Sequence, residues 1–138
     1  MQKGKVAQVI GPVIDVVFPA ETSLPRIFDL LYITMPSGEQ LGVEVYKHLG
    51  NQLVRTIALD STEGVSRGLE VVGTGNPISV PVGEKTLGRI MNVLGNPIDD
   101  GPAIESEEKW PIHRPAPQFS HLNRSTAIFE TGIKVIDL

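Results

Sequence analysis

The residues with the clearest potential for chemistry lie between Gly83 and Ile90. Two glycines, Gly83 and Gly88, stand at the spacing of the phosphate-binding pattern G-x-x-x-x-G-K-[ST]. That loop needs a lysine that reaches the β and γ phosphates and a hydroxyl that holds magnesium, whereas this chain has Arg89 and Ile90. Nucleotide binding is therefore not expected here, and the two glycines are interpreted as turns at a domain boundary.

Acidic side chains follow closely. Paired carboxylates can act as acid and base or hold a hard cation. Glycine, proline and serine surround these residues, which favours a solvated acidic loop. The residues concerned are Asp99, Asp100, Glu105, Glu107 and Glu108.

The three histidines, His48, His113 and His121, lack the i, i+4 spacing that places two imidazoles on one helix face. A zinc site is therefore not expected, and His113-Arg114 is interpreted as a packing or interface element. The chain has no cysteine, which excludes disulfides and thiolate sites, and it has no G-x-S-x-G motif. We assign no catalytic, cofactor-binding or metal-ligating residue.

Composition narrows the class of protein. The 138 residues are 41% apolar and 20% charged, with a formal net charge of -4. Such a chain is expected to fold, and its acidic balance argues against a nucleic-acid partner. Asn123-Arg124-Ser125 matches the glycosylation pattern, but no secretory signal accompanies it, so the match is attributed to chance.

The first 82 residues predict short strands, because apolar side chains alternate with polar ones. Alternation is clearest from Leu41 to Leu49 and recurs over 27–35 and 53–59, with shorter strands at Leu69–Val72 and Ile78–Val82. Lys5–Ile10 and Val13–Phe18, joined by Gly11-Pro12, are predicted to form one long, sharply bent strand.

Turn residues separate these strands. Pro36–Glu39 and Gly50-Asn51 are hairpin signals, and Thr74–Pro77 is interpreted in the same way. Six short strands without a convincing helix predict a mainly β fold, a small closed six-stranded barrel over residues 1–82. A β-sandwich of the same strands is the competing interpretation.

The pattern changes after Val82. Alternation stops and five prolines fall close together, which predicts an extended, irregular segment without a core of its own. At the end of the chain, Thr131–Leu138 indicates the start of a helix that Thr131 would cap.

Five blocks resemble the catalytic beta subunits of the proton-translocating rotary ATP synthases, and together they cover nearly the whole chain. Three features favour beta subunits over the related non-catalytic alpha subunits. They are the sequence of Asn92–Gly95, the block at 112–117 and the position of Leu138 directly after Asp137. The blocks are residues 4–13, 78–83, 86–99, 112–117 and 130–138.

The resemblance implies an N-terminal six-stranded barrel at 1–82 and the incomplete beginning of an α/β phosphate-loop nucleotide-binding domain at 83–138. In this family the barrels alternate, alpha and beta, in a crown that holds the catalytic ring together. The family's phosphate-binding loop would lie beyond Leu138. Mg-ATP or Mg-ADP is therefore expected in the full-length protein and not on these 138 residues, which are predicted to be inactive alone.

The resemblance also implies partners and a location. Alpha subunits would bind the barrel, gamma and other subunits would bind the complete protein, and membrane contact would be indirect. The N-terminus shows no transit segment, so we expect a bacterial protein on the cytoplasmic face of the plasma membrane. A stand-alone β-barrel binding module is the alternative from a different class.

Overall fold

The fold is described from a computed structural model, which describes residues 2–106, 108–122 and 125–138. Glu107 of the acidic loop lies outside the described residues, as do Asn123 and Arg124 of the glycosylation pattern.

Six antiparallel strands close into a barrel, with neighbours in the order β1-β2-β5-β4-β3-β6. The predicted mainly β fold with a closed six-stranded barrel is confirmed, and the sandwich interpretation is wrong. Closure leaves each strand a neighbour on both sides, which removes long unpaired edges. The strands are β1 (Lys3–Ile10), β2 (Val13–Val17), β3 (Asp29–Thr34), β4 (Gln40–Gly50), β5 (Leu53–Ala58) and β6 (Glu70–Pro77).

The opening segment is a hairpin, so the prediction of one bent strand is wrong. Ile10 pairs with Val13, and β1 runs antiparallel to β2. Gly11 has φ 56°, a conformation that glycine adopts without strain, and together with Pro12 it reverses the chain within two residues.

The predictions for the last turn and the last strand of the barrel are also wrong. Thr74–Pro77 is not a turn, because β6 continues to Pro77, pairs with β3, and the Thr74 hydroxyl donates to the Leu30 carbonyl at 2.8 Å. The strand predicted at Ile78–Val82 is the shorter β7 (Ser79–Pro81), and it lies outside the barrel. It pairs with β8 (Lys109–Pro111) in a separate two-stranded sheet.

The barrel interior holds one apolar core, whose fully buried members all lie between Val6 and Val71. Val and Ile dominate it, as expected for residues that pack well on a pleated surface. Residues beyond β6 contribute none of this cluster, although Ile78 is itself buried, at 1% exposure. The interior of the barrel is thus filled by the barrel's own residues, whereas the later segment makes its contacts on the outside.

The remaining described residues carry little regular structure. Short 3-10 turns lie at Glu84–Thr86 and Phe119–His121, and α1 spans Lys134–Asp137. A helix does begin near the predicted place, but Ile133 is its N-cap and no side chain caps it. The Thr131 hydroxyl is used differently, since it donates to the Asp137 carboxylate at 2.7 Å. Among the described residues, no helix is long and apolar enough to cross a membrane.

Candidate interaction surface

The polar groups of the segment that resembles a phosphate-binding loop form hydrogen bonds within the chain. Gly83 and Gly88 have φ values of 103° and 70° and lie at turns, as predicted. The Arg89 guanidinium donates to both Asp99 carboxylate oxygens, at 2.6 and 3.0 Å, and to the Pro102 carbonyl. The Nε and Nη2 groups of Arg89 are therefore used within the chain, which opposes a role in binding an external phosphate.

Asp99 departs from the solvated acidic loop that was predicted. Its carboxylate also accepts from the backbone N–H groups of Ile90 and Gly101. The hydrogen bonds from Arg89, assisted by these backbone donors, hold the pKa of Asp99 far below its usual range against the opposing effect of burial. The same pairing raises the pKa of Arg89.

The other described acidic residues of this region, Asp100, Glu105 and Glu108, are exposed, in keeping with the loop interpretation. Glu108 accepts a hydrogen bond from the Trp110 indole N–H. Within the described ranges, no three His, Asp or Glu side chains are grouped so that they could hold a metal ion.

His113 is a packing element, as predicted. Its ring stacks on Phe28, with ring centroids 4.1 Å apart and an interplanar angle of 24°. Its Nε2 lies 2.9 Å from the Glu44 carboxylate, so His113 touches the barrel at two points. The neighbouring Arg114 places its guanidinium carbon 3.8 Å from the centre of the Trp110 ring, a cation–π arrangement.

The other histidines have separate places. The His48 Nε2 forms a hydrogen bond with the Pro25 carbonyl at 2.7 Å, and His121 lies in the 3-10 turn at 119–121. The three histidines are therefore not brought together.

A row of cross-strand neighbours runs around the outside of the barrel. The exposure of its members shows which wall of the barrel is covered. Ile10 pairs with Val13, Val13 with Ile57, Ile57 with Glu44, and Glu44 with Leu30, so all five lie on the same outer face. On the β1-β2-β5 wall, Ile10 is 54% exposed and Ile57 is 38% exposed.

The β3-β4 wall is covered by the later part of the chain. Leu94, Leu59 and Leu30 each approach within 3.3–3.6 Å of the position that a Cβ on Gly42 would occupy. The small residue on β4 therefore lets Leu94 settle against the barrel beside the contacts of His113. The β1-β2-β5 wall, by contrast, presents apolar side chains outward at Ile10 and Ile57.

An ion pair stiffens this open wall. Arg55 on β5 donates from Nε and Nη2 to the two carboxylate oxygens of Asp15 on β2, at 2.9 and 3.0 Å. Asp15 is only 4% exposed, and the hydrogen bond to it raises the pKa of Arg55.

Sequence reasoning missed the Asp15–Arg55 pair and the partners of His113. Asp15 interrupting an apolar strand was a signal for a paired carboxylate, but its partner lies 40 positions away in the chain. The partners of His113 had no local signal, because Glu44 is 69 positions distant.

The model of the ATP synthase alpha/beta family, beta-barrel domain, matches residues 6–75, about half of the chain. The matched range begins within β1 and ends within β6, so it coincides with the closed barrel.

Proposed function

Since this chain belongs to the ATP synthase alpha/beta family, we propose that its barrel is the crown domain of a catalytic beta subunit. There it packs side by side with alpha subunits and holds the ring together. The complete protein makes ATP from ADP and phosphate, driven by a transmembrane proton gradient.

The family match over the closed barrel is the observation that carries this proposal. A closed, stiff sheet offers its side walls to neighbours without exposing strand edges that would aggregate. The β1-β2-β5 wall supplies exposed apolar side chains for one such contact, at Ile10 and Ile57. The Asp15–Arg55 pair holds the two strands beneath it in register.

The assignment to beta, and not alpha, rests on the sequence resemblance. The sequence resembles that of beta subunits at residues 92–95, at residues 112–117 and at Asp137-Leu138. Under this proposal, residues 83–138 begin the nucleotide-binding domain, and Mg-ATP or Mg-ADP binds elsewhere in the complete subunit. Gamma and other subunits are further partners, nucleic acid is not one, and the complex sits peripherally on the cytoplasmic face of a bacterial plasma membrane.

Mixing experiments test the crown assignment. The chain is combined with isolated alpha subunits and, separately, with full-length beta subunits, and complex formation is followed by sedimentation velocity. We expect association with alpha subunits, weakened by Ile57→Lys because a charge would be buried in the contact. The control is Ile98→Lys, which places the same charge on an isoleucine outside the barrel that is 62% exposed, against 38% for Ile57.

Two results would count against the proposal. Association with beta subunits in preference to alpha would identify the chain as the alpha type. Absence of association with either subunit would remove the crown role and leave a stand-alone barrel module.

A further inference from the structure

We propose that Phe28, Glu44 and His113 form a releasable latch, whose release lets residues 78–114 unfold locally as one unit while the barrel stays folded. The inference concerns the chain itself and does not depend on the barrel joining a ring.

The conformation of Phe28 is the first evidence that its contact with His113 is specific. Its φ is 74°, in the left-handed region that a bulky side chain enters only with strain. The ring is not there to fill the core, because the residue remains 42% exposed. Its observed ring partner is His113, on the far part of the chain. The strained backbone thus directs an aromatic ring at the later segment.

The turn that holds Phe28 is tightly fixed on the barrel. The Phe28 N–H donates to the Val45 carbonyl at 2.8 Å, while the Asp29 carboxylate accepts from the Arg26 N–H at the same distance. Asp29 is buried and begins β3. The ring is therefore presented by a rigid support, which lowers the entropy cost of the contact.

Glu44 provides the polar half of the latch. It stands on the outer face of β4, and its side chain is 19% exposed, while that of His113 is 40% exposed. A stack and one partly exposed hydrogen-bonded pair form a small contact, one that can break without disturbing the barrel core.

The segment beyond the barrel is tied to itself as well as to the latch. The Ile112 N–H donates to the Ile78 carbonyl, and the Val82 N–H to the Glu108 carbonyl, extending the β7-β8 pairing at both ends. His113 directly follows this ribbon. No described residue beyond Val71 belongs to the buried core cluster, so the ribbon can open without exposing that core. Unfolding of residues 78–114 also removes Leu94 from its place beside Gly42 on the outer face of β4.

Native-state amide hydrogen exchange of the 138-residue chain tests the latch. The Ile112 and Val82 amides report the ribbon, and the amides of β2 and β5 report the barrel. Phe28→Ala and His113→Ala should each accelerate exchange at the ribbon amides by about tenfold, the equivalent of one stacking contact. The barrel amides should keep their rates.

Coupling between the two residues is the stricter requirement. The Phe28→Ala/His113→Ala double variant should exchange no faster than the more affected single variant, because either change alone removes the stack. His113→Phe keeps an aromatic ring and should recover part of the protection. Phe129→Ala and His121→Ala, which alter an exposed phenylalanine and a histidine outside the latch, should change nothing.

The remaining outcomes overturn the proposal. Unchanged ribbon exchange in both single variants would mean that the contact holds nothing. Equal acceleration of ribbon and barrel amides would mean that the chain opens as one cooperative unit. Fully additive effects in the double variant would mean that the two side chains act separately.

Discussion

Two residues in this chain have an unfavourable local environment or conformation, and each contacts a partner far away in the sequence that compensates for it. Asp15 is nearly fully buried and is matched by a bidentate guanidinium from Arg55. Phe28 adopts a left-handed backbone and is matched by the ring of His113. In both cases the cost is local, while the compensation comes from another part of the fold.

Backbone strain at Phe28 can be measured with a matched pair of substitutions. Phe28→Gly and Phe28→Ala both remove the ring, but only glycine relieves the backbone at φ 74°. We expect the Gly variant to be more stable than the Ala variant by about 1 kcal/mol in urea unfolding followed by circular dichroism. Equal stability of the two would show that Phe28 is unstrained.

At the scale of elements, the barrel and the later segment are stabilised by different interactions. The barrel is held by a continuous ladder of antiparallel pairs. Residues 83–106 instead rely on turns and on the Arg89–Asp99 pair, with the single bridge between Met91 and Pro97. A Cβ on Gly101 would crowd the Arg89 guanidinium, so a larger residue there would displace that side chain from Asp99.

Acid should remove the contribution of Asp99. Because its folded-state pKa is lowered by Arg89, the ionised carboxylate stabilises the fold above the unfolded-state pKa of about 3.9. That stabilisation falls progressively as the pH drops below this value toward the folded-state pKa.

Comparison with Asp99→Asn measures this effect. The variant should exchange faster than the parent chain at the Ile90 and Gly101 amides at neutral pH, because both amides donate to Asp99. The difference should shrink as the pH falls below about 4. A difference that stays constant down to strongly acidic pH would contradict the role of the ionised carboxylate.

The whole molecule combines a barrel that holds the buried core cluster with a later segment whose described residues contribute nothing to that cluster. Large apolar side chains in that segment face outward, with Phe119 and Phe129 both 85% exposed. The proposed assignment of this segment to a nucleotide-binding domain gives these side chains a place to pack. The arrangement leaves the barrel as the stable unit and the later segment as the adaptable one.

At the scale of the whole molecule, the prediction that these 138 residues do not bind nucleotide can be tested directly. Titration with Mg-ATP by calorimetry should give no saturable micromolar binding to the 138-residue chain. The Arg89→Lys/Ile90→Thr variant restores the letters of the phosphate-binding pattern, and it should also fail to bind. The structure places a three-residue 3-10 turn between the two glycines, and the described residues 88–106 form no helix that could receive a phosphate directly after Gly88.

A full-length catalytic beta subunit serves as the positive control for this titration. Saturable micromolar binding by the parent chain would contradict the assignment of nucleotide binding to other parts of the protein. Binding by the double variant alone would show that residue type, and not loop geometry, limits the site.

Local patterns were sufficient for three of the barrel strands and for the hairpin turns at Pro36–Glu39 and Gly50-Asn51. Alternation identified β3, β4 and β5, and Gly50-Asn51 correctly marked a hairpin, since Asn51 and Gln52 both have positive φ. The same reasoning failed at Gly11-Pro12, because a kink and a reversal use the same residues. It failed again at Thr74–Pro77, because pairing with β3 overrode turn-forming residues.

The sequence by itself determined a mainly β chain, a barrel of six strands and a resemblance that the family match supports over 6–75. These follow from short-range periodicity and from residue identity. Only the tertiary structure decided which strands close the barrel, which wall stays open, and where Asp15, Phe28 and His113 find their partners. Those outcomes depend on contacts between residues far apart in the chain, for which neighbouring residues carry no signal.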